Sequence, residues 1–202
     1  MAYDFYIERP WLMHMVGRTV WGIDARPLYA AMAPIAKLEA GETVIDVPCG
    51  GGVALRALAP GQRVTYLAGD IDAAMVERTR RRAQERGLTQ VSVGTADLEA
   101  LPYERASADL FACFSGLHML ADPARAMREI ARCLKPGGEV IGTTFLLEGG
   151  RRQRALFAAG ARRGHPEPPP RGALVEMFEA AGIERVQIAP REGFAAFSGV
   201  RA

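Results

Sequence analysis

Thr43-Val44-Ile45-Asp46-Val47-Pro48-Cys49-Gly50-Gly51-Gly52-Val53 decides how this chain is read. A β-branched run ends in a carboxylate and breaks into a glycine loop. Val53 to Leu58, a segment of good helix-forming composition, follows at once. Strand, Gly-rich turn and helix N-terminus together make a place where backbone can approach a ligand closely, because glycine carries no Cβ. Asp46 falls at the carboxyl end of the strand, where ligands bind in open α/β sheets.

The loop does not read as a phosphate cradle. The dinucleotide fingerprint wants a third glycine three residues after the second, and that position is Leu55. No Gly-Lys-Ser or Gly-Lys-Thr of a Walker loop occurs in the chain. An acid beside the loop suits a ligand bearing an amine or another positive group better than a pyrophosphate.

Asp46-x-Pro48-x-Gly50-x-Gly52 resembles motif I of the class I S-adenosylmethionine-dependent methyltransferases, usually Asp/Glu-x-Gly-x-Gly-x-Gly. It departs from that pattern at Pro48, where the ring fixes φ and removes an N–H. Further segments resemble the family in the right order. Tyr66-Leu67-Ala68-Gly69-Asp70-Ile71-Asp72-Ala73-Ala74-Met75 is similar to its second strand and exit, and Asp70 lies roughly 20 residues beyond Asp46, as a ribose-binding acid should. Gly94-Thr95-Ala96-Asp97-Leu98-Glu99-Ala100-Leu101-Pro102-Tyr103 resembles the stretch that meets adenine. Ala108 to His118 resembles the fourth strand and its exit, and Arg128 to Ile141, with Leu134-Lys135-Pro136-Gly137-Gly138, the helix-turn-strand after it. The nearest group in style is the type 11, ubiquinone/menaquinone-biosynthesis-like small-molecule methyltransferases.

The resemblance implies S-adenosylmethionine as cofactor and assigns roles residue by residue. Asp46, Pro48, Cys49, Gly50 and Gly52 would hold its methionine end. Asp70 would bind the ribose diol, with Ile71 and Met75 beside it. Asp97 would accept from the adenine amino group, next to the Leu98 backbone N–H. Phe114 and Ser115 would line the methyl-transfer site. His118, whose unperturbed basicity lies near neutrality, is the candidate general base, set against a structural or pocket-lining role. Apart from the resemblance, the aromatic cluster in the arm suggests that Tyr3 and Tyr6 close over the cofactor, set against a core-packing stripe.

Composition bounds the rest. The chain has 202 residues, a length suited to one domain. A hydrophobic fraction of 49% supports a core, and a net charge of +2 gives no global field for nucleic acid. Cys49, Cys113 and Cys133 show neither paired nor metal-binding spacing, which suits a reducing cytoplasm. The first residues lack the apolar run of a signal peptide, and no stretch is long and apolar enough to span a membrane. No metal site is expected. The expected partner is a small-molecule methyl acceptor, and a homodimer is one possible assembly.

The organisation expected is an α/β, Rossmann-like, doubly wound sheet of seven mostly parallel strands with a final antiparallel strand, preceded by a helical N-terminal arm. Residues 1–40 form the arm or lid and 41–202 the methyltransferase domain, with 147–170 as a substrate-side insertion. Strands are expected near 43–47, 64–69, 91–93, 108–113, 138–145, 184–189 and 194–200. Helices are expected near 53–59, 73–86, 123–134 and 172–181. Asp72 and Asp122 are the expected N-caps of the second and third, the latter with Pro123 at its first position. Arg151, Arg152, Arg154, Arg162 and Arg163 make the insertion basic, which is read as a solvated helix or as a selector of acidic acceptors. The activity expected is in-line methyl transfer. The alternatives are a cofactor-binding sensor or scaffold without transfer, and a nicotinamide oxidoreductase, which Leu55 disfavours.

Overall fold

β1 (Thr43–Asp46), β2 (Thr65–Asp70), β3 (Val91–Thr95), β4 (Ala108–Phe114), β5 (Leu134–Phe145), β6 (Ile183–Arg191) and β7 (Phe194–Arg201) form one sheet in the order β3-β2-β1-β4-β5-β7-β6. The computed structural model describes residues 10–21, 24 and 26–202. The first five strands pair in parallel, and β7 runs antiparallel to both β5 and β6. This is the expected doubly wound sheet, its last strand reversed. The described helices are α1 (Pro10–Val16), α2 (Arg26–Ala30), α3 (Ala73–Glu85), α4 (Pro123–Cys133), α5 (Arg151–Ala161) and α6 (Arg171–Ala180).

Both faces of the sheet are covered, which is why its central strands are apolar on both sides. Ile45, Phe111, Cys113 and Val140 face one layer and pack with Met127 and Ile130 of α4 and Leu174 and Phe178 of α6. Val44, Tyr66, Leu110 and Ala112 face the other, with Leu28, Met32 and Ile35 of the arm and Leu55 and Leu58. The Phe178 and Phe197 rings meet edge to face at 5.3 Å.

The two helix caps form as the sequence suggests. Asp72 Oδ1 accepts from the Ala74 N–H at 2.8 Å, and Asp122 Oδ1 accepts from the Arg125 N–H at 2.9 Å. Each such cap is worth about 1 kcal/mol. α4 also organises the loop before β4. Arg132 donates to the Tyr103 and Leu101 carbonyls, while Glu129 accepts from the Leu101 N–H and pairs with Arg132.

Two elements differ from expectation, and a third, the 147–170 segment, forms the solvated helix that was one of its two readings. Residues 53–59 do not form an α-helix. Val53–Ala57 is a short 3₁₀ turn that starts from Gly52 in the left-handed region, with no side-chain cap. Its Leu55 and Leu58 N–H groups bond three residues back, and Arg86 of the α3 C-terminus occupies the Leu55 and Leu58 carbonyls instead. Next, β5 begins at Leu134, and Pro136-Gly137-Gly138 lies inside it rather than before it. Ala108 pairs with Leu134 before the register slips, and Lys135 Nζ grips both Asp109 carboxylate oxygens at 2.7–2.8 Å. Last, the 147–170 segment contains α5, which turns its arginines to solvent and buries Gln153 against the Gly193 carbonyl.

The arm is tied to the far half of the sheet. Asp24 is buried and accepts from both Arg26 and, at 2.9 Å, Arg191 of β6. The expected roles of Tyr3 and Tyr6 lie outside the described residues.

Close packing of β4 on β5 requires glycine at 142. A Cβ there would overlap the Cys113 carbonyl oxygen and the Phe197 ring. Gly142→Ala is therefore expected to lose about 1–3 kcal/mol or more through overpacking. Gly150→Ala, where a Cβ meets open space, should stay within about 0.5 kcal/mol, as surface substitutions usually do. Urea denaturation of the two variants checks the contrast.

Candidate functional site

β1, β2 and β4 bring Asp46, Asp70 and Phe114 to one edge of the sheet, where the strand order reverses between β1 and β4. Open α/β sheets bind ligands at such a switch point. A cavity of about 160 Å³ lies here, lined by Leu28, Asp46, Pro48, Cys49, Gly50, Gly51, Val53, Ala54, Asp70, Phe114 and Ser115. Seven of the residues predicted from sequence meet in this lining, and none of the lining residues is a lysine, arginine or histidine.

The glycine loop is held by its backbone. The Cys49 N–H donates to the Gly69 carbonyl at 2.8 Å, the Gly52 N–H to the Cys49 carbonyl at 2.9 Å, and the Gly50 N–H to Asp70 Oδ2 at 2.9 Å. Gly50 has φ +52° and open space where a Cβ would stand. Gly52, at φ +78°, instead backs onto Thr79, 3.0 Å from its ideal Cβ. Buried Thr79 closes the loop from beneath, donating its hydroxyl to the Gly50 carbonyl at 2.7 Å. Pro48 is accommodated by the bareness of Gly116, where a Cβ would come 2.5 Å from the proline Cδ.

Asp46 is 1% exposed. Its Oδ2 accepts from the Tyr66 hydroxyl at 2.8 Å, and its Oδ1 has no partner among the described residues. Burial pushes its carboxyl up to about 7; the Tyr66 bond opposes this and the Asp70 charge adds to it. Burial also raises the Cys49 thiol, and raises that of Cys113 to about 12, so both stay protonated and unreactive at neutral pH. Asp70 Oδ1 accepts from the Asp72 N–H at 3.0 Å. Each of its oxygens retains a second lone pair for a ligand.

Ser115 leaves β4 at φ +57°, an unfavourable region for a residue with a side chain. Its N–H donates to the Thr143 carbonyl at 2.8 Å, which holds it there. Strain of about 1–3 kcal/mol of this kind clusters at ligand sites.

The remaining predicted residues among those described lie outside the cavity lining. Ile71, 70% exposed, follows Asp70, and Met75 is half-buried in the first turn of α3. Asp97 is exposed and accepts from the Glu99 N–H at 2.9 Å, while the Leu98 side chain turns into the core. His118 is buried, with Nδ1 3.5 Å from the Thr144 hydroxyl and its ring edge-on to Phe145 at 4.8 Å. Burial lowers its basicity to about 4. Among the described residues, no three His, Cys, Asp or Glu side chains gather as a metal site requires. Leu28, Thr79 and Tyr66 were not picked out from sequence. For Thr79 the signal was a hydroxyl on the inward face of a helix.

Residues 45–142 match the family model of the methyltransferase domain. This segment belongs to the methyltransferase-domain family. The ubiquinone biosynthesis O-methyltransferase of Xanthomonas axonopodis pv. citri is 35% identical over 136 residues, 62% of this chain and 55% of that protein. The first curated relatives are matched over about a third to half of their own length. Among solved structures, phosphoethanolamine N-methyltransferase 2 of Haemonchus contortus, in complex with phosphomonomethylethanolamine and S-adenosylhomocysteine, superposes with a TM-score of 0.76 at 12% identity. That match covers 100% of this chain and 61% of the other. The [4+2]-cyclase SpnF superposes at 0.72 with 21% identity, covering 98% and 94%. These likenesses show that the whole chain has the class I methyltransferase fold, and the cyclase shows that the fold serves more than one chemistry.

Two outcomes are expected of this methyltransferase domain. Asp46 binds its proton more tightly folded than unfolded, so its contribution to stability is fully present below about pH 4 and is lost as pH rises through about 7. Asp46→Asn removes that loss and can still accept from Tyr66. It should melt higher than the parent at pH 8 without ligand, by on the order of a few kcal/mol at most, as read by calorimetric scanning at pH 5 and pH 8. Thr79→Val leaves the Gly50 carbonyl with only the weak Cys49 thiol donor at 3.7 Å and should cost about 1–3 kcal/mol of stability, while Thr79→Ser should retain most of it; denaturant midpoints decide.

Proposed function

We propose that the chain is an S-adenosylmethionine-dependent methyltransferase acting on a small-molecule acceptor. One observation carries the reading. A buried carboxylate oxygen without a partner among the described residues, Asp46 Oδ1, lines a cation-free cavity beside the glycine loop of a methyltransferase domain. A buried orphan oxygen is costly, and a cationic ligand relieves it.

The residues fit the cofactor. Asp46 meets a positive group, Gly50 lets backbone approach without a side chain, and Asp70 offers free lone pairs to a ribose diol. Exposed Ile71 offers an apolar surface beside the ribose site, and exposed Asp97 offers a carboxylate for the proposed adenine contact. The bound sulfonium supplies an activated methyl group for in-line displacement by the acceptor. The protein's part is to hold the two reactants in line and exclude water, which is worth about 7–11 kcal/mol in the best-oriented systems. Phe114 and Ser115 border the place where the acceptor would lie. The cavity of about 160 Å³ is smaller than the roughly 300–1,000 Å³ of ordinary ligand pockets. Leu28 of α2 lines it and lies in the arm, so the arm is proposed to act as a lid that shifts when the cofactor enters.

His118 is proposed as a packing and pocket-supporting residue rather than the base. A group with basicity near 4 takes up protons too weakly for general-base work at neutral pH. His118→Asn should leave the shape of the kcat profile between pH 6 and 8 unchanged. Loss of a limb in that range on substitution would restore it as the base.

Calorimetry with S-adenosylmethionine, S-adenosylhomocysteine and NADPH tests the cofactor, with binding expected for the first two only. Release of labelled methyl to a panel of small acceptors then tests transfer. Binding without transfer to any acceptor would leave a sensor, and no binding would remove the reading altogether.

A further inference from the structure

Tyr66 and Asp46 lie on the same face of adjacent parallel strands. The register sets Val44 beside Tyr66 and Asp46 beside Ala68. Tyr66 therefore stands one pleat earlier than Asp46, and the small Ala68 side chain leaves the diagonal between them open. The Tyr66 ring is fully buried among apolar neighbours. A phenylalanine would fill the same volume. The hydroxyl adds one interaction, its 2.8 Å bond to Asp46 Oδ2. That bond occupies one carboxylate oxygen and leaves the other, Oδ1, without a partner among the described residues in a side chain that lines the cavity.

We infer that Tyr66 is a positioning residue of the ligand site: its hydroxyl holds the Asp46 carboxylate by one oxygen and so presents the other to a cationic group of the ligand. This rests on the cofactor reading above. The ionisable groups facing Asp46 are Tyr66 and Asp70 from β2, Cys49 from the glycine loop, Cys113 from β4 and Tyr103 from the segment before β4. None of these described groups is cationic, so in this reading the ligand brings the balancing charge. Binding at mildly acid pH then breaks the Asp46 O–H bond, sends its proton to solvent and leaves a carboxylate paired with the ligand cation. Because the hydroxyl bonds to the ionised form, removing it shifts that ionisation to higher pH.

S-Adenosylhomocysteine, which carries an α-ammonium group, is the probe. Its affinity is measured by calorimetry from pH 6 to 8.5, in buffers of different ionisation enthalpy, for the parent, Tyr66→Phe and Asp46→Asn. The parent should release a proton on binding below about pH 7. Tyr66→Phe should bind within about twofold of the parent at pH 8.5 but about tenfold more weakly at pH 6, for a midpoint moved up by about one unit. Asp46→Asn should bind weakly at every pH with no proton release. An equal loss for Tyr66→Phe at all pH values would reduce Tyr66 to packing and overturn the inference. Should that variant fail to fold, buffer-independent heats in the parent would overturn it alone. No uptake by the parent at any pH would instead remove the cofactor reading, and this inference with it.

Discussion

A carboxylate held dry at the end of β1 is the constraint around which the rest of this structure is arranged. Taking Asp46 out of water costs free energy, and one neutral hydrogen bond from Tyr66 offsets only part of it. Among the described residues no cation completes the compensation, so burial leaves the carboxyl holding its proton to higher pH than an exposed aspartate would.

The surrounding architecture serves to keep that carboxylate in place. The reversal of strand order between β1 and β4 opens the sheet edge. Asp70 and Thr79 fasten the glycine loop from two sides, one by accepting from the Gly50 N–H and the other by donating to its carbonyl. Both polar groups of one glycine are thus satisfied by side chains from β2 and α3, and neither needs a solvent molecule. The departure at Pro48 fits the same logic. Gly116 gives up the side chain that would collide with the proline ring, so a stiff residue in the loop is accommodated by a bare position packed against it.

Much of this was legible along the chain. The β-branched run ending in Asp46, the acid at Asp70 and the Asp-Pro start of α4 each carry local physics that does not depend on the rest of the molecule. The helix after the glycine loop was not legible. Its composition favours α-helix, but Gly52 starts it without a cap and Arg86, thirty-odd positions away, takes the carbonyls that a longer helix would have used. Propensity is a weak prior when a distant guanidinium competes for the same acceptors. The start of β5 was misplaced for a similar reason, since pairing with Ala108 and the Lys135–Asp109 contact extend the strand through a Pro-Gly-Gly run.

By itself the sequence determined the succession of strands and helices, the glycine loop and the acids at strand ends, because these follow from backbone freedom, side-chain branching and spacing over a few residues. Only the tertiary structure decided which oxygen of Asp46 accepts from Tyr66, that Thr79 fastens the glycine loop, that Leu28 of the arm lines the cavity, and that His118 is buried. Those properties depend on solvent exclusion and on hydrogen bonds between residues far apart in the chain, and neither is encoded at any single position.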